Sequence, residues 1–280
     1  MRLISAEKIK SAVAELCLKA NLVLSKDVLR CLSYARRKET RAQARLILDA
    51  IIRNALIASK DGLAICQDTG MPIVFIELGQ DVMIKGSLEN AVNRGVEQGY
   101  RRGSLRNSIV KDPLARGVSG YAPAVIHVDL VKGSRIKLTV LPKGFGCENK
   151  SSLKMFNPTA SLQEISRFII DTVKAAGPDA CPPYIVGVGI GGTADYASFL
   201  AKKALLRRCT PQRSERRSKL GRLEIALLKE INKLKIGPMG LGGRTTALAI
   251  NIETYPTHIA GLPVAVNISC HALRSATRTL

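Results

Sequence analysis

Tryptophan is absent from these 280 residues, and only five Phe and six Tyr are present. No apolar run approaches the roughly 20 residues that a helix needs to cross a bilayer. No CxxC pair occurs anywhere, which removes the zinc ribbons. The opening segment Met1-Arg2-Leu3-Ile4-Ser5-Ala6-Glu7-Lys8 is mixed in charge and lacks a secretory apolar region, so a cytoplasmic location is the expectation. Acidic residues are scarce: 22 Asp and Glu stand against 43 Lys and Arg, a formal charge of +21.

Such a charge suits nucleic acid, an acidic partner subunit or an anionic substrate. Its densest stretch, Arg207 to Arg222, has no interleaved aromatic side chain, so base stacking lacks a platform there. A solvated loop or a partner contact is the better reading, and nucleic-acid binding is the rival from another class. The seven cysteines are odd in number and scattered. In a reducing compartment they are expected to be buried, metal-bound or reactive rather than disulfide-paired.

Helical spacing of Ile9, Val13 and Leu16, and of Leu46, Ala50 and Ile57, predicts a helical region over residues 6–60, with Ser25 as an N-cap. Strand-like runs follow at Leu63–Cys66, Ile73–Leu78, Ala124–Leu130 and Arg135–Leu141. Further helices are expected over Leu88–Tyr100, around Leu162–Val173, over Ala194–Arg207 and around Leu223–Leu234. Strands are expected at Tyr184–Ile190, Ala247–Ile252 and Val264–Ser269. The fold class is therefore α/β, with a helical N-terminal region followed by small mixed sheets flanked by helices, in one domain over residues 1–280.

Two glycine-rich stretches imitate nucleotide sites. Gly187-Val188-Gly189-Ile190-Gly191-Gly192 fits G-x-G-x-x-G between a strand and a helix. No acidic residue follows about 20 positions later, so a tight turn without a dinucleotide is expected. Gly237 to Thr246 resembles a P-loop but has Pro238 for Gly and Arg244 for Lys, which rejects nucleotide hydrolysis. A third loop, Gly144 to Lys150, follows a strand and reads either as a connection or as a backbone cradle for a carboxylate.

Cys66 opens Cys66-Gln67-Asp68-Thr69-Gly70, where thiol, amide and carboxylate in succession make a poor core and a good site. Cys181, followed by Pro182-Pro183, and Cys270, at a strand end, also border apolar runs. Three such sulfurs suggest an iron–sulfur cluster, although any three of seven cysteines can be drawn together. Cys17, Cys31 and Cys209 read as small buried hydrophobes or surface thiols. His258, at the entry to a strand, is better placed to face a cleft than His127 or His271.

These motifs, in this order, resemble the α subunit of two-subunit class I fumarate hydratases and L(+)-tartrate dehydratases, which are iron–sulfur hydro-lyases. The resemblance implies a [4Fe–4S] cluster held by Cys66, Cys181 and Cys270, with one iron open to substrate. It implies substrate contacts from Gln67, Asp68, Arg106, Gly144 and Gly146, and from His258 across a subunit interface. Asp68 is expected to protonate or orient the leaving hydroxide. Cys147 stands where the family usually has Ser, and no cluster role is assigned to it. The remaining arginines, a lysine and the base are expected on a β subunit, in a heterotetramer without membrane or nucleic-acid contact. The chain alone is then inactive.

Overall fold

The computed structural model describes residues 1–210 and 218–280. Part of the basic stretch 207–222 therefore lies outside the described residues. The chain divides into two compact units, each assembled from separate stretches: Met1–Leu24, Ala55–Phe145 and Arg274–Leu280 form the first, Ser25–Asn54 and Gly146–Leu273 the second.

The first unit opens with β1 (Arg2–Ser5) and α1 (Ala6–Leu22), where Ser5 Oγ accepts the Lys8 N–H at the N-cap. Two helices, α2 (Lys26–Lys38) and α3 (Ala42–Asp61), follow in sequence; α2 and the part of α3 up to Asn54 belong to the second unit. Next come β2 (Met71–Gly79), β3 (Val82–Lys85), α4 (Leu88–Arg102), and the β4–β5 hairpin (Ile109–Asp112, Arg116–Gly120). β6 (Val125–Val131) and β7 (Ile136–Lys143) complete the run before the single turn α5 (Phe145–Glu148). The four-stranded sheet is ordered β12-β7-β2-β6, where β12 is Ala276–Thr279; β2 runs parallel to β6 and antiparallel to β7. Ile9, Val13 and Leu16 of α1 and Val92 and Val96 of α4 bury their faces with Val74, Ile76, Leu138 and Val140.

The second unit carries β8 (Ser152–Phe156), α6 (Leu162–Ala176), β9 (Tyr184–Gly191), α7 (Ala194–Ala204), α8 (Lys219–Lys233), β10 (Ala247–Tyr255) and β11 (Leu262–Ser269). Ser161 and Glu164 close a capping box on α6. The sheet is ordered β10-β9-β11-β8, with β9 parallel to β10 and antiparallel to β11. Strand alternation splits its two faces. Val264, Val266 and Ile268 pack with Ile165, Ile169, Leu227 and Ile231, whereas Ala265 packs with Ala197 and Ala201 of α7.

That small-residue face explains the G-x-G-x-x-G stretch. A Cβ on Gly187 would lie 2.0 Å from the Ala201 carbonyl oxygen, and one on Gly189 would lie 2.0 Å from that of Ala197. These glycines let α7 lie close on β9, and the Gly192 N–H is bonded to the Pro256 carbonyl. Gly189→Ala should cost about 1–3 kcal/mol or more in a denaturation experiment. Gly146→Ala, whose methyl meets nothing within 4 Å, should stay within about 0.5 kcal/mol. Equal stabilities would refute the packing account.

Two expectations need correction. Leu63–Cys66 is not a strand: the Leu63 N–H bonds the Ala58 carbonyl across Gly62 at φ 67°, a closing turn of α3. Cys31 and Cys209 are not separate thiols but a disulfide, both 2% exposed, joining α2 to the segment after α7. Among the described residues no helix is long and apolar enough to cross a membrane.

Candidate active site

In the first unit the Cys66–Gly70 turn lies against the end of β7. Gly70, at φ 72°, would place a Cβ 2.8 Å from the Lys143 backbone, so only glycine permits the approach. Asp68 fixes the turn at both oxygens: Oδ1 accepts the Gly70 N–H at 3.0 Å and Oδ2 the Phe145 N–H at 2.8 Å. A Cβ on Gly144 would sit 3.0 Å from Asp68 Oδ2, which explains the second glycine. Thr69 Oγ1 accepts the Arg106 N–H at 3.1 Å. The Arg106 side chain is exposed, as is that of Gln67, and Cys66 is half-buried. Gln67, Asp68, Arg106 and Gly144 are thus gathered around one turn.

Tyr100 was not singled out by its sequence, yet it holds this turn from beneath. Its hydroxyl lies 2.9 Å from the Thr69 carbonyl oxygen and 3.2 Å from that of Gly70. Burial pushes the phenol pKa far up, so it remains a donor. A signal existed: Val92, Val96 and Tyr100 form one apolar stripe, and a phenol ending a buried stripe needs a polar partner.

In the second unit Ser269 pairs opposite Ile185, so the antiparallel β9 and β11 bring the Cys181 and Cys270 segments to one end of the sheet. The His271 N–H donates to the Cys181 carbonyl at 3.4 Å, and His271 Nδ1 lies 3.0 Å from the same oxygen, which selects the Nδ1-protonated tautomer. Cys181 has φ 55°, uncommon for a non-glycine residue, and its own N–H bonds the Pro178 carbonyl. The Gly237–Thr246 loop supports this segment. Its Met239 N–H donates to the Pro182 carbonyl at 2.8 Å, and its Arg244 N–H to Glu39 Oε2 at 2.7 Å. Glu39, 1% exposed, also accepts the N–H groups of Thr40 and Arg41 at the start of α3.

Cys147 is buried in the apolar core, its thiol 3.4 Å from the Ala180 carbonyl oxygen. Beside it, Glu148 accepts from Lys202 Nζ at 2.5 Å and Asn267 Nδ2 at 3.0 Å, which fixes the start of the Glu148–Lys150 loop. Gly146 is exposed. His258 is also exposed, in the turn entering β11, with Nδ1 accepting the Ala260 N–H at 3.2 Å. Cys270 follows the exit of that eight-residue strand, and ~3.3 Å per residue separates the two by roughly 20 Å or more. The fold therefore does not join His258 to Cys181 and Cys270. Among the described residues no three His, Cys, Asp or Glu side chains are grouped to hold a metal ion.

Comparison with known proteins defines the class of this chain as hydro-lyase. The chain belongs to the fumarate hydratase (Fumerase) family, whose model matches residues 10–279. A Methanocaldococcus jannaschii protein named "Putative L(+)-tartrate dehydratase subunit alpha" is 38% identical over 280 residues, covering 98% of each chain. The L(+)-tartrate dehydratase subunit alpha of Escherichia coli K12 is 26% identical over 277 residues, covering 98% of this chain and 91% of that one.

Proposed function

We propose that this chain is the α subunit of an iron–sulfur hydro-lyase that interconverts fumarate and malate, working with a β subunit. The family match across residues 10–279 carries the reading. Cys66, Cys181 and Cys270 are proposed as the thiolates of a [4Fe–4S] cluster. Their chemistry suits that group, because all three are half-buried thiols outside the disulfide. The alternatives suit it less: burial pushes the Cys17 thiol up to about 12, and Cys31 and Cys209 are bonded to each other. When bound, the cluster supplies a Lewis-acidic iron for a substrate hydroxyl and carboxylate.

The chain's own residues do the positioning. Arg106, anchored through its N–H, presents a guanidinium able to grip a carboxylate with paired donors. Each Asp68 oxygen holds one backbone N–H and keeps a lone pair for a substrate hydroxyl. Asp68 is assigned to protonating the departing hydroxide, or at least to orienting it; a general acid typically contributes ~10²–10⁴-fold. Gln67 offers an exposed amide, and Gly144 and Gly146 leave the backbone open to a carboxylate. His258 is assigned to the site of a second copy in a heterotetramer. The base that takes the C3 proton is assigned to the β subunit. Residues 1–280 are assigned to a single functional domain, in the cytoplasm.

A second reading, dehydration of L(+)-tartrate to oxaloacetate, is equally consistent with the names of the relatives. Anaerobic assay of the chain, alone and mixed with its β subunit, against fumarate and L(+)-tartrate tests both. The chain alone should be inactive and the mixture active on one substrate. Activity without a β subunit, or none on either diacid in a cluster-loaded complex, would overturn the proposal.

A further inference from the structure

We propose that Arg274 is a positioning residue that sets the Cys66–Gly70 turn from below. The residue is 3% exposed, in the C-terminal stretch of the first unit, four residues after Cys270. Its Nη2 donates to the carbonyl of Asp68, and its Nε lies 3.3 Å from Asn21 Oδ1. Asn21 is itself 1% exposed and tied to α1, its Nδ2 donating to the Cys17 carbonyl at 3.0 Å. The Asn21 carbonyl accepts the Ile65 N–H at 3.0 Å. Cys66 and Gln67 are thereby suspended between two anchors: Ile65 bonds Asn21 directly, and Asp68 bonds it through Arg274.

Burying a permanently charged group is costly unless its donors are paired. An apolar side chain would fill the space without that cost. What it would lack is a rigid, planar donor set joining the Asp68 carbonyl to the Asn21 amide. With Tyr100 holding the next two carbonyls, every backbone oxygen from Asp68 to Gly70 is fixed from the protein side. The side chains of Gln67 and Asp68 are then presented without local reorganisation, the arrangement that an orienting site requires. Arg274 touches neither substrate nor reacting atoms in this account.

The catalytic consequence rests on the function proposed above, whereas the structural one does not, and the experiment separates them. Full-length Arg274→Ala, Arg274→Gln and Arg274→Lys are compared with the parent chain by peptide-resolved hydrogen exchange, and then in complex with the β subunit by kinetics. Exchange over residues 65–70 should rise about tenfold or more in Arg274→Ala, as for local opening after losing a hydrogen bond to a charged group. Peptides of α4 and β9–β11 should be unchanged, and Arg274→Lys should recover part of the protection. In the complex kcat should fall more than KM rises. Unchanged exchange at 65–70 would overturn the proposal. So would a uniform rise across the first unit, or failure of all three variants to fold, because Arg274 would then be merely structural. The exchange pattern without any diacid activity in the parent complex would sink the proposed function and leave the positioning role standing.

Discussion

Cys66→Ser, Cys181→Ser and Cys270→Ser are each expected to abolish the visible absorption and the bound iron of anaerobically prepared protein, whereas Cys147→Ser retains both. Serine is nearly isosteric but offers a hard oxygen that stays protonated, where a cluster needs soft thiolate sulfur. The loss of hydration activity should exceed the ~10²–10⁴-fold attributable to a general acid or base, since leaving-group activation goes with it. Cys147 is the discriminating control. It lies in the glycine-rich Gly144–Lys150 loop, and its thiol is buried and directed at the Ala180 carbonyl. A Cys147→Ser variant without iron, or any of the other three with it, would mean that the ligand set is misassigned.

Loss of the Cys31–Cys209 disulfide should be the largest stability effect available from a single covalent change. It spans 178 residues of sequence, and closing such a loop removes roughly 5 kcal/mol of chain entropy from the unfolded state at 25 °C. Measured native disulfides typically contribute about 2–4 kcal/mol, so a drop within 2–5 kcal/mol is expected for the Cys31→Ser, Cys209→Ser double variant. Guanidinium denaturation of the variant beside the oxidised and reduced parent measures it. The reduced parent should match the variant once unfolding has exposed the bond, which is buried in the native state. Identical stability in all three would show that the crosslink contributes nothing.

Much of the architecture was legible because most helices and the longer strands carry their own periodicity. The α4 and α6 stripes and the apolar runs of β2, β7, β9, β10 and β11 are local signals. The short strands β1, β3, β4, β5, β8 and β12 were not, because four or five residues with exposed positions take their identity from a partner elsewhere in the chain. Leu63–Cys66 misled for the opposite reason: its apolar run is local, but the glycine before it turns α3 closed.

The site divides along the same line. Gln67 and Asp68 stood out by residue type and Arg106 by resemblance, and one turn gathers them. Tyr100, Glu39 and Arg274 matter through bonds to residues 30 to 206 positions away, which no spacing rule reaches. The disulfide escaped for the same reason, since scattered cysteines carry no mark of their partners.

Iron-edge anomalous scattering from crystals of the active, anaerobic complex with the β subunit is the most direct trial. The account requires one four-iron cluster per α chain whose protein ligands are the sulfurs of Cys66, Cys181 and Cys270, with Cys147 apart from it. A fully active complex without iron, or iron held by another set of side chains, would contradict it.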